Sequence, residues 1–354
     1  MKRYGGLFES IATFPALLAA SRKARKGKRF KHSTADFEFN LEREIIRLER
    51  ALTNQTYRPG PYREFSIYEP KPRKISAAPY RDRVAQHALC AVIEPLFNRS
   101  FIFDNYACRT GKGNLQAVNR FTHFSRRFKY VLKCDVKKYF PSIDHQVLKD
   151  KIRRKIKCPK TLWLIDLFID SSHPQDAANF YFPGDDLFTP YERRRGIPIG
   201  NLTSQLFANL YLNDLDHFIK EKFPVFGYIR YMDDLAVFGD RKEELWRVLE
   251  CVKEFLVRER LWLKPEKSMV YPLVRGVDYL GFKVFPDHRR LRYENTVRYR
   301  RRVKRMQKDY YKGKIGFAEI NGSVQSWIGH VGHADTWRFR EKLFKDISFQ
   351  RCGT

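Results

Sequence analysis

The sequence predicts an α+β fold in which an antiparallel sheet is covered by helices on one face. Short apolar runs predict strands, and longer runs with apolar residues three or four apart predict helices. Their order along the chain is strand, helix, hairpin, helix, strand, which is typical of α+β folds. With 354 residues, the chain is long enough for two or three packed subdomains and a large core.

The N-terminal part is predicted to hold two helices joined by an extended segment. Residues 1–35 are basic, and we expect them to be irregular. Residues 37–52 carry apolar side chains at helical spacing and open the folded part. Prolines recur between Pro59 and Pro79 and predict an extended segment, and the helix after it, over 81–97, should be broken by Pro95.

The rest of the chain alternates between strands and helices. The predicted elements are a strand over 128–136, helices over 145–170, 201–222 and 241–260, a long ordered loop or small hairpin over 171–195, short strands within 261–271 and 277–285, and a mainly helical region from 288. The predicted organisation is therefore a basic N-terminal extension over 1–36, a central domain over 37–287 and a helical C-terminal domain over 288–354.

One hairpin carries the clearest functional signal. In "YIRYMDDLAVFGD", residues Tyr228–Asp240, two alternating strands meet at Met232, Asp233 and Asp234. Adjacent carboxylates repel each other, so one pKa should be raised unless a cation lies between them. The alternative is that the two aspartates only form a turn.

A third carboxylate would complete a site for a divalent metal ion. Asp135 is the best candidate because it ends the predicted strand 128–136. Oxygen ligands of this kind suit Mg²⁺, and two such ions about 4 Å apart can assist an in-line displacement at phosphorus. Three other aspartates compete but have no apolar strand beneath them, namely Asp144, Asp185 and Asp186.

The net charge of +29 points to a polyanionic partner. Basic residues come in runs at 21–31, 193–195 and 298–308, with aromatic residues nearby that could stack on bases. Nucleic acid is therefore the favoured partner, and a membrane surface is the weaker alternative. No apolar stretch is long enough to span a membrane, and basic residues follow the N-terminal apolar run, so we expect a soluble intracellular chain.

The cysteines give no sign of a metal site or of a disulfide framework. Six of them are spread far apart without a C-x-x-C pair, so reduced thiols are expected. His330 and His333 lack a second ligand pair nearby, which favours packing or nucleic-acid contact over metal binding.

Seven segments resemble, in order, the sequence blocks of reverse transcriptases. They are "KPRKISAAPYRDRVAQHAL", "YACRTGKGNLQAV", "DVKKYFPSIDH", "RRRGIPIGNLTSQLFANLYLNDLD", "YMDD", "LWLKPEKS" and "VDYLGFKV". The resemblance implies a right-hand polymerase fold, with fingers and palm over 37–287 and a helical thumb over 288–354. It also implies an RNA-directed DNA polymerase that binds template RNA, RNA/DNA heteroduplex and dNTPs.

The resemblance assigns the catalytic positions residue by residue. Asp135, Asp233 and Asp234 match the metal ligands, with the carbonyl of Val136 assisting, for two Mg²⁺ ions or Mn²⁺ as a substitute. Lys267 matches a lysine that protonates the departing pyrophosphate, although an exposed structural lysine is an equal alternative.

Six further residues match nucleotide-binding positions. Phe140 matches the residue that excludes a ribose 2′-hydroxyl, although core packing is the alternative. Arg73 and Lys71 match the residues that hold the triphosphate, where a guanidinium can grip phosphate and stack on a base. The block that contains the motif "GIPIGNLTSQ" supplies Ile199, Gly200 and Gln205.

That motif departs from the group II intron pattern, which has Gln where Ile199 stands and ends in Ser-Pro. With "YFPGDDLFTPYERRRG" upstream, it resembles the reverse transcriptases of diversity-generating retroelements. These enzymes make error-prone cDNA from a template RNA to diversify a target gene, and they act with a small basic oligomeric accessory variability protein. An aliphatic side chain at 199 would discriminate nucleotides less than a hydrogen-bonding one, although it could simply pack beneath the following helix.

Two alternative functions are also compatible with parts of the sequence. The first is a group II-like reverse transcriptase that serves CRISPR adaptation or phage defence, and the second is an RNA-binding protein with an inactive polymerase fold. The intact aspartates and Phe140 argue against the second. No Cys/His-rich endonuclease module follows, so we expect other factors to handle the target. The resemblance implies a cytoplasmic, prokaryotic or phage-encoded protein.

Overall fold

The computed structural model of the chain describes residues 2–68, 72–172, 180–224, 227–345 and 347–351. Its helices are α1 (Phe14–Ala24), α2 (His32–Phe39), α3 (Leu41–Thr53), α4 (Tyr80–Asn98), α5 (Asn114–Ser125), α6 (Tyr139–Ser142), α7 (His145–Arg153), α8 (Pro159–Asp170), α9 (Thr189–Glu192), α10 (Leu202–Tyr211), α11 (Asn213–Lys222), α12 (Lys242–Arg258), α13 (Tyr293–Tyr311), α14 (Phe317–Val331) and α15 (Trp337–Lys345). Its strands are β1 (Arg63–Ile67), β2 (Arg73–Ala77), β3 (Tyr130–Asp135), β4 (Gly227–Tyr231), β5 (Asp234–Gly239), β6 (Met269–Pro272), β7 (Val277–Tyr279), β8 (Phe282–Val284) and β9 (Arg289–Leu291).

A four-stranded antiparallel sheet lies at the centre, with the strand order β4-β5-β3-β6. The predicted hairpin is confirmed as β4 and β5, which are joined by a two-residue loop. The predicted strand over 128–136 is confirmed as β3. The sheet is therefore built from segments far apart in sequence, and it brings the end of β3 beside the start of β5.

Both faces of this sheet are covered, so the prediction of helices on one face only was wrong. On one face, Leu132, Leu235 and Val237 belong to the main core together with residues of α10, α11 and α12. On the other face, Val131 and Phe238 pack with α5 and with the three-stranded sheet β7-β8-β9. Consecutive strand residues point to opposite faces. Since both sets are apolar, both faces must be buried.

The N-terminal residues are helical rather than irregular. Helix α1 buries Leu17, Ala20 and Ala24, which share one helical face, and it packs against α4. Its polar side is fixed as well, because Glu38 accepts hydrogen bonds from Ser21 and Arg25 at 2.6 and 2.8 Å. Alanine and leucine fill six of the eleven positions of this helix, so its sequence shows too little contrast between an apolar and a polar face to predict it.

The proline-rich segment contains a hairpin that the sequence did not predict. Strands β1 and β2 pair in an antiparallel register with Arg63 opposite Ala77. Every residue of β1 is exposed, so no alternation of buried and exposed residues marked it. Further along, Pro95 lies inside α4 without breaking it. The buried residues Ile93 and Phe97 hold the helix on either side of the proline.

Two predicted helices are each divided in two. The region 145–170 holds α7 and α8, separated where Ile156 forms a bridge with Tyr4. The region 201–222 holds α10 and α11, separated at Leu212. A fully buried apolar residue stands at each break, Ile156 at the first and Leu212 at the second, so apolar periodicity continues across them. In the predicted loop 171–195, the described residues include the short helix α9 but no strand, and 173–179 lie outside the described residues.

The C-terminal region is helical, as predicted. Helices α13 and α14 are joined by a stack of Tyr299 on Trp327, with ring centroids 3.7 Å apart. Arginines on α13 and aromatic residues line a cavity of about 730 Å³ between these helices. None of the described helices is both long and apolar enough to cross a membrane.

Candidate polymerase active site

Three aspartates meet at one end of the central sheet. Asp135, the last residue of β3, pairs directly with Asp234, the first residue of β5. Residues opposite each other in an antiparallel pair have Cβ atoms about 4.5–5.5 Å apart. Asp233 precedes Asp234 in the two-residue loop that joins β4 to β5. The predicted trio is therefore brought together by strand register and by the hairpin turn.

Lysines hold two of these carboxylates. Asp135 accepts hydrogen bonds from Lys264 at 2.5 Å and from Lys267 at 3.1 Å. Lys133 lies 3.4 Å from the carboxylate of Asp234. Lys267, which the sequence singled out, is thus at the site. Lys264 and Lys133 were missed, although two signals were present: Lys264 lies one short turn before Lys267, and Lys133 shares a strand face with Asp135.

The carboxylates influence one another's protonation. Burial and the charge of Asp135 raise the pKa of Asp233 to about 6. Burial also raises the pKa of Asp234, while the charge of Lys133 offsets part of that effect. For Asp135, burial alone would raise the pKa, but the hydrogen bonds from Lys264 and Lys267 outweigh it and leave the pKa below its ordinary value. A raised pKa beside another carboxylate means that the site favours positive charge.

The donor chemistry fits a divalent cation, although the carboxylates are not gathered around one. Among the described residues, no three Asp, Glu, His or Cys side chains are placed to hold a metal ion. Carboxylate oxygens are nevertheless the ligands that such cations prefer. Val136 is fully buried, and its backbone forms a bridge with Leu263. A cavity of about 320 Å³ opens beside Asp135 and Asp234, so there is room at the site for substrate groups.

The competing aspartates have structural roles. Asp144 accepts hydrogen bonds from the first backbone N–H groups of α7 and is 2 % exposed. Asp185 forms an ion pair with Arg193. Asp186 accepts from the backbone of Phe188 and Thr189. Each of the three is therefore accounted for by its own structural contacts.

Several predicted nucleotide-binding residues lie on segments that meet beside β3. Phe140 is half-buried in α6, and its carbonyl accepts from the backbone of Ile197 at 3.0 Å. The carbonyl of Ile199 in turn accepts from Ser76 of β2 at 3.1 Å. At Gly200, φ is +122°, and a Cβ would lie 3.2 Å from Ile75. Glycine therefore allows β2 to approach this loop closely.

Of the other three predicted residues, the structure describes the side chain of Gln205 alone. Gln205 lies on α10 and lines a small separate cavity with Cys90 and Glu94, and none of the three aspartates lines that cavity. Arg73 begins β2, and only its backbone is described. Lys71 lies outside the described residues.

Comparison with known proteins decides the family. The profile of the reverse transcriptase (RNA-dependent DNA polymerase) family matches residues 67–284, more than half of the chain. The chain belongs to the reverse transcriptase family. Its enzymatic class is therefore RNA-directed DNA polymerase, and the aspartate end of the sheet lies within the matched region. Members of this family bind RNA templates and dNTPs and use divalent metal ions.

Two relatives illustrate the lineage of this reverse transcriptase. It is 26% identical over 286 residues to Protein YkfC of Escherichia coli, an alignment that covers 69% of this chain and 71% of YkfC. It is also 26% identical over 375 residues to the group II intron-encoded protein LtrA of Lactococcus lactis, with 87% of this chain and 57% of LtrA covered. The chain is thus similar to a group II intron-encoded protein, and it spans little more than half of that protein's length.

Proposed function

We propose that this reverse transcriptase copies a template RNA into error-prone cDNA that diversifies a target gene. The observation that carries the proposal is Ile199. Its carbonyl accepts a hydrogen bond from Ser76 of β2, it lies two residues after Ile197, which bonds to Phe140, and its side chain is half-buried and aliphatic. A hydrogen-bonding side chain there would penalise misaligned nucleotides, whereas an aliphatic one discriminates only by shape.

In this proposal the three aspartates bind two Mg²⁺ ions, with the Val136 carbonyl assisting and Mn²⁺ as a substitute. Bound there, the ions would stabilise the charge that develops on the attacking oxygen of the primer and on the oxygen that leaves with pyrophosphate. Lys267, hydrogen-bonded to Asp135, is placed to give its proton to the departing pyrophosphate. Lys264 and Lys133 balance the carboxylates before the metal arrives.

The remaining proposals assign the subdomains of a right-hand polymerase, the nucleotide contacts, a partner and a location. Residues 37–287 form the fingers and palm, with β1 and β2 in the fingers, and residues 288–354 form the thumb. Lys71 and Arg73 hold the triphosphate, Phe140 contacts the sugar, and Ile199 and Gly200 lie along the path of the nucleotide, whereas Gln205 supports α10 from its separate cavity. The arginine-rich cavity of α13 and α14 supports contact with the phosphates of an RNA/DNA heteroduplex. A small basic oligomeric accessory protein is the proposed partner, and the cytoplasm is the proposed location.

Replacing Ile199 by Gln tests the error-prone assignment. We expect about tenfold fewer misincorporations opposite template adenine, because each lost hydrogen bond costs a misaligned nucleotide about 1.4 kcal/mol. The measurement is sequencing of cDNA made by the purified chain on an RNA of defined sequence. Ile199→Leu is the matched control and should keep the wild-type error spectrum. Faithful cDNA from the wild-type chain, or an unchanged spectrum in Ile199→Gln, would overturn the proposal.

Magnesium should stabilise the chain in a pH-dependent way. Because the pKa of Asp233 is raised to about 6, its carboxylate is available to a cation above that pH and protonated below it. Without metal, the raised pKa makes the fold less stable as the pH rises from about 4 through 6. We therefore expect Mg²⁺ to raise the melting temperature clearly at pH 7.5 and far less at pH 5.

Thermal melting with and without MgCl₂ at the two pH values checks this expectation. The Asp233→Asn variant serves as the control, since it should lose most of the stabilisation at the higher pH. An equal effect of Mg²⁺ at both pH values, or a full effect in Asp233→Asn, would show that this carboxylate does not bind the ion.

A further inference from the structure

A buried arginine lies directly behind the aspartate hairpin. Arg230 is on β4, two residues before the loop, and its side chain is fully buried, as is that of its partner Asp216 on α11. Charged side chains are almost never fully buried without a partner. This arginine belongs neither to the apolar core nor to the carboxylate end of the sheet, so its position calls for a separate explanation.

Every N–H of the Arg230 guanidinium donates a hydrogen bond. Nε and Nη2 donate to the two carboxylate oxygens of Asp216, at 2.7 and 2.6 Å. Nη1 and Nη2 also donate to the side-chain and backbone oxygens of Asn209, at 3.3 and 3.1 Å. The remaining bond runs from Nη1 to the backbone carbonyl of Met232, at 3.1 Å. Arginine has five donors in a fixed planar fork, and all five are used here.

The bond to Met232 acts on the hairpin turn itself. Met232 has φ of +58°, a left-handed conformation that side chains other than glycine seldom adopt. Such residues persist where the surrounding structure holds them. The Met232 carbonyl is part of the peptide unit that joins Met232 to Asp233. By fixing that carbonyl, the guanidinium fixes the direction in which the chain enters Asp233.

The arginine is itself held from both sides. Its backbone N–H donates to the backbone carbonyl of Asp104 at 3.0 Å, and its own carbonyl accepts from the backbone N–H of Tyr106 at 3.0 Å. The Asp104 carboxylate is in turn bound by Arg120 at 2.8 Å. Thus β4 cannot shift without breaking these contacts. The guanidinium therefore holds the turn in a fixed position relative to α10 and α11.

Stability alone does not account for this arrangement. Replacing a buried ion pair with apolar residues of similar volume often leaves stability unchanged or improves it. An apolar pair would also fill the space between β4 and α11. It would not supply a donor to the Met232 carbonyl. The feature that only the ion pair supplies is therefore the hydrogen bond from the guanidinium to the Met232 carbonyl.

We propose that Arg230 is a positioning residue that holds the Met232–Asp233 peptide so that Asp233 and Asp234 can bind the catalytic metal ions, with Asp216 as its counter-ion. The proposal rests on the metal-dependent polymerase site proposed above. Arg230 touches neither the nucleotide nor the metal, and it acts through the turn.

The test compares Arg230→Lys with Arg120→Lys. A lysine at 230 keeps its charge beside Asp216 but cannot reach Asp216, Asn209 and Met232 together. Arg120→Lys is the matched control, because it changes a second arginine–aspartate pair that also supports β4 but does not contact the turn. Binding of Mn²⁺ alone, followed by electron paramagnetic resonance, and single-turnover dNTP incorporation are both measured.

For Arg230→Lys we expect about tenfold weaker Mn²⁺ binding and a kcat lower by about 10–100-fold, as for other residues that orient metal ligands. KM for dNTP and the affinity for primed template should stay within threefold. Arg120→Lys should match the wild type in all of these. If Arg230→Lys does not fold, the double variant Arg230→Met with Asp216→Leu takes its place and should show the same losses.

Each outcome decides the proposal. Wild-type Mn²⁺ binding and kcat in a folded variant at Arg230 would overturn it, as would equal losses in Arg120→Lys. If the wild-type chain binds Mn²⁺ but makes no DNA, the polymerase proposal fails, while the Mn²⁺ comparison still decides the role of Arg230. If the wild-type chain does neither, both proposals are overturned.

Discussion

Replacing Asp233 with Asn is expected to lower the rate of dNTP incorporation on a primed RNA template by about a thousandfold or more. A metal ligand supports several kcal/mol of transition-state stabilisation, and each 1.4 kcal/mol is about a factor of ten in rate. Asn is almost the same size as Asp, so the fold should be preserved. Single-turnover primer extension with Mg²⁺ measures the effect.

The matched control lies at the other end of the same hairpin. Asp240 is exposed and accepts a hydrogen bond from the backbone of Lys129 at 3.1 Å. Asp240→Asn should therefore keep nearly the full rate. An Asp233→Asn chain within tenfold of the wild-type rate would contradict the assignment of this carboxylate to the catalytic site.

Replacing Phe140 with Ala is expected to lower the preference for dNTPs over rNTPs by about 10–100-fold, the range over which shape alone discriminates in enzyme sites. The ring is half-buried in α6, five residues after Asp135, and it packs edge-on against Tyr139 with centroids 5.7 Å apart. Removing it opens space beside the proposed nucleotide site without deleting a fully buried core residue. The ratio of kcat/KM for dGTP to that for GTP measures the change.

Tyr139 provides the comparison for this experiment. Its hydroxyl donates a hydrogen bond to the carbonyl of Ala208 at 2.5 Å, which is a structural contact within the core. Tyr139→Phe should cost about 1 kcal/mol of stability, because one buried hydrogen bond is lost. It should leave sugar selectivity unchanged. If Phe140→Ala kept the wild-type ratio, or if both variants lost it equally, the residue would not contact the sugar.

The sequence predicted the parts of the site that depend on local pattern. The hairpin β4–β5 and strand β3 were predictable because their residues alternate or form short apolar runs. The structure then shows that β3 and β5 are neighbours and that Asp135 pairs with Asp234. The recognised order of motifs then indicated which of several aspartates to place there.

What the sequence could not supply depends on contacts between distant segments. Lys264 lies 129 positions from Asp135, and its spacing from Lys267 becomes informative only once Lys267 has been located beside that carboxylate. Arg230 lies two residues before the hairpin loop, and the alternation of the strand does not indicate that the face it occupies is covered by α11. Helix α1 was missed because its stability comes from packing on α4 rather than from its own periodicity.

Single-turnover primer extension by aspartate variants tests the central claim most directly, namely that three aspartates act as one catalytic unit. The variants are Asp135→Asn, Asp233→Asn, Asp234→Asn and the triple variant, each assayed on the same primed RNA template. When residues act as one catalytic unit, removing one of them costs nearly as much activity as removing all of them. We therefore expect each single variant to lose most of the activity, and the triple variant to fall no more than about tenfold below the weakest of them. Losses that multiply, or a single variant near the wild-type rate, would contradict this account.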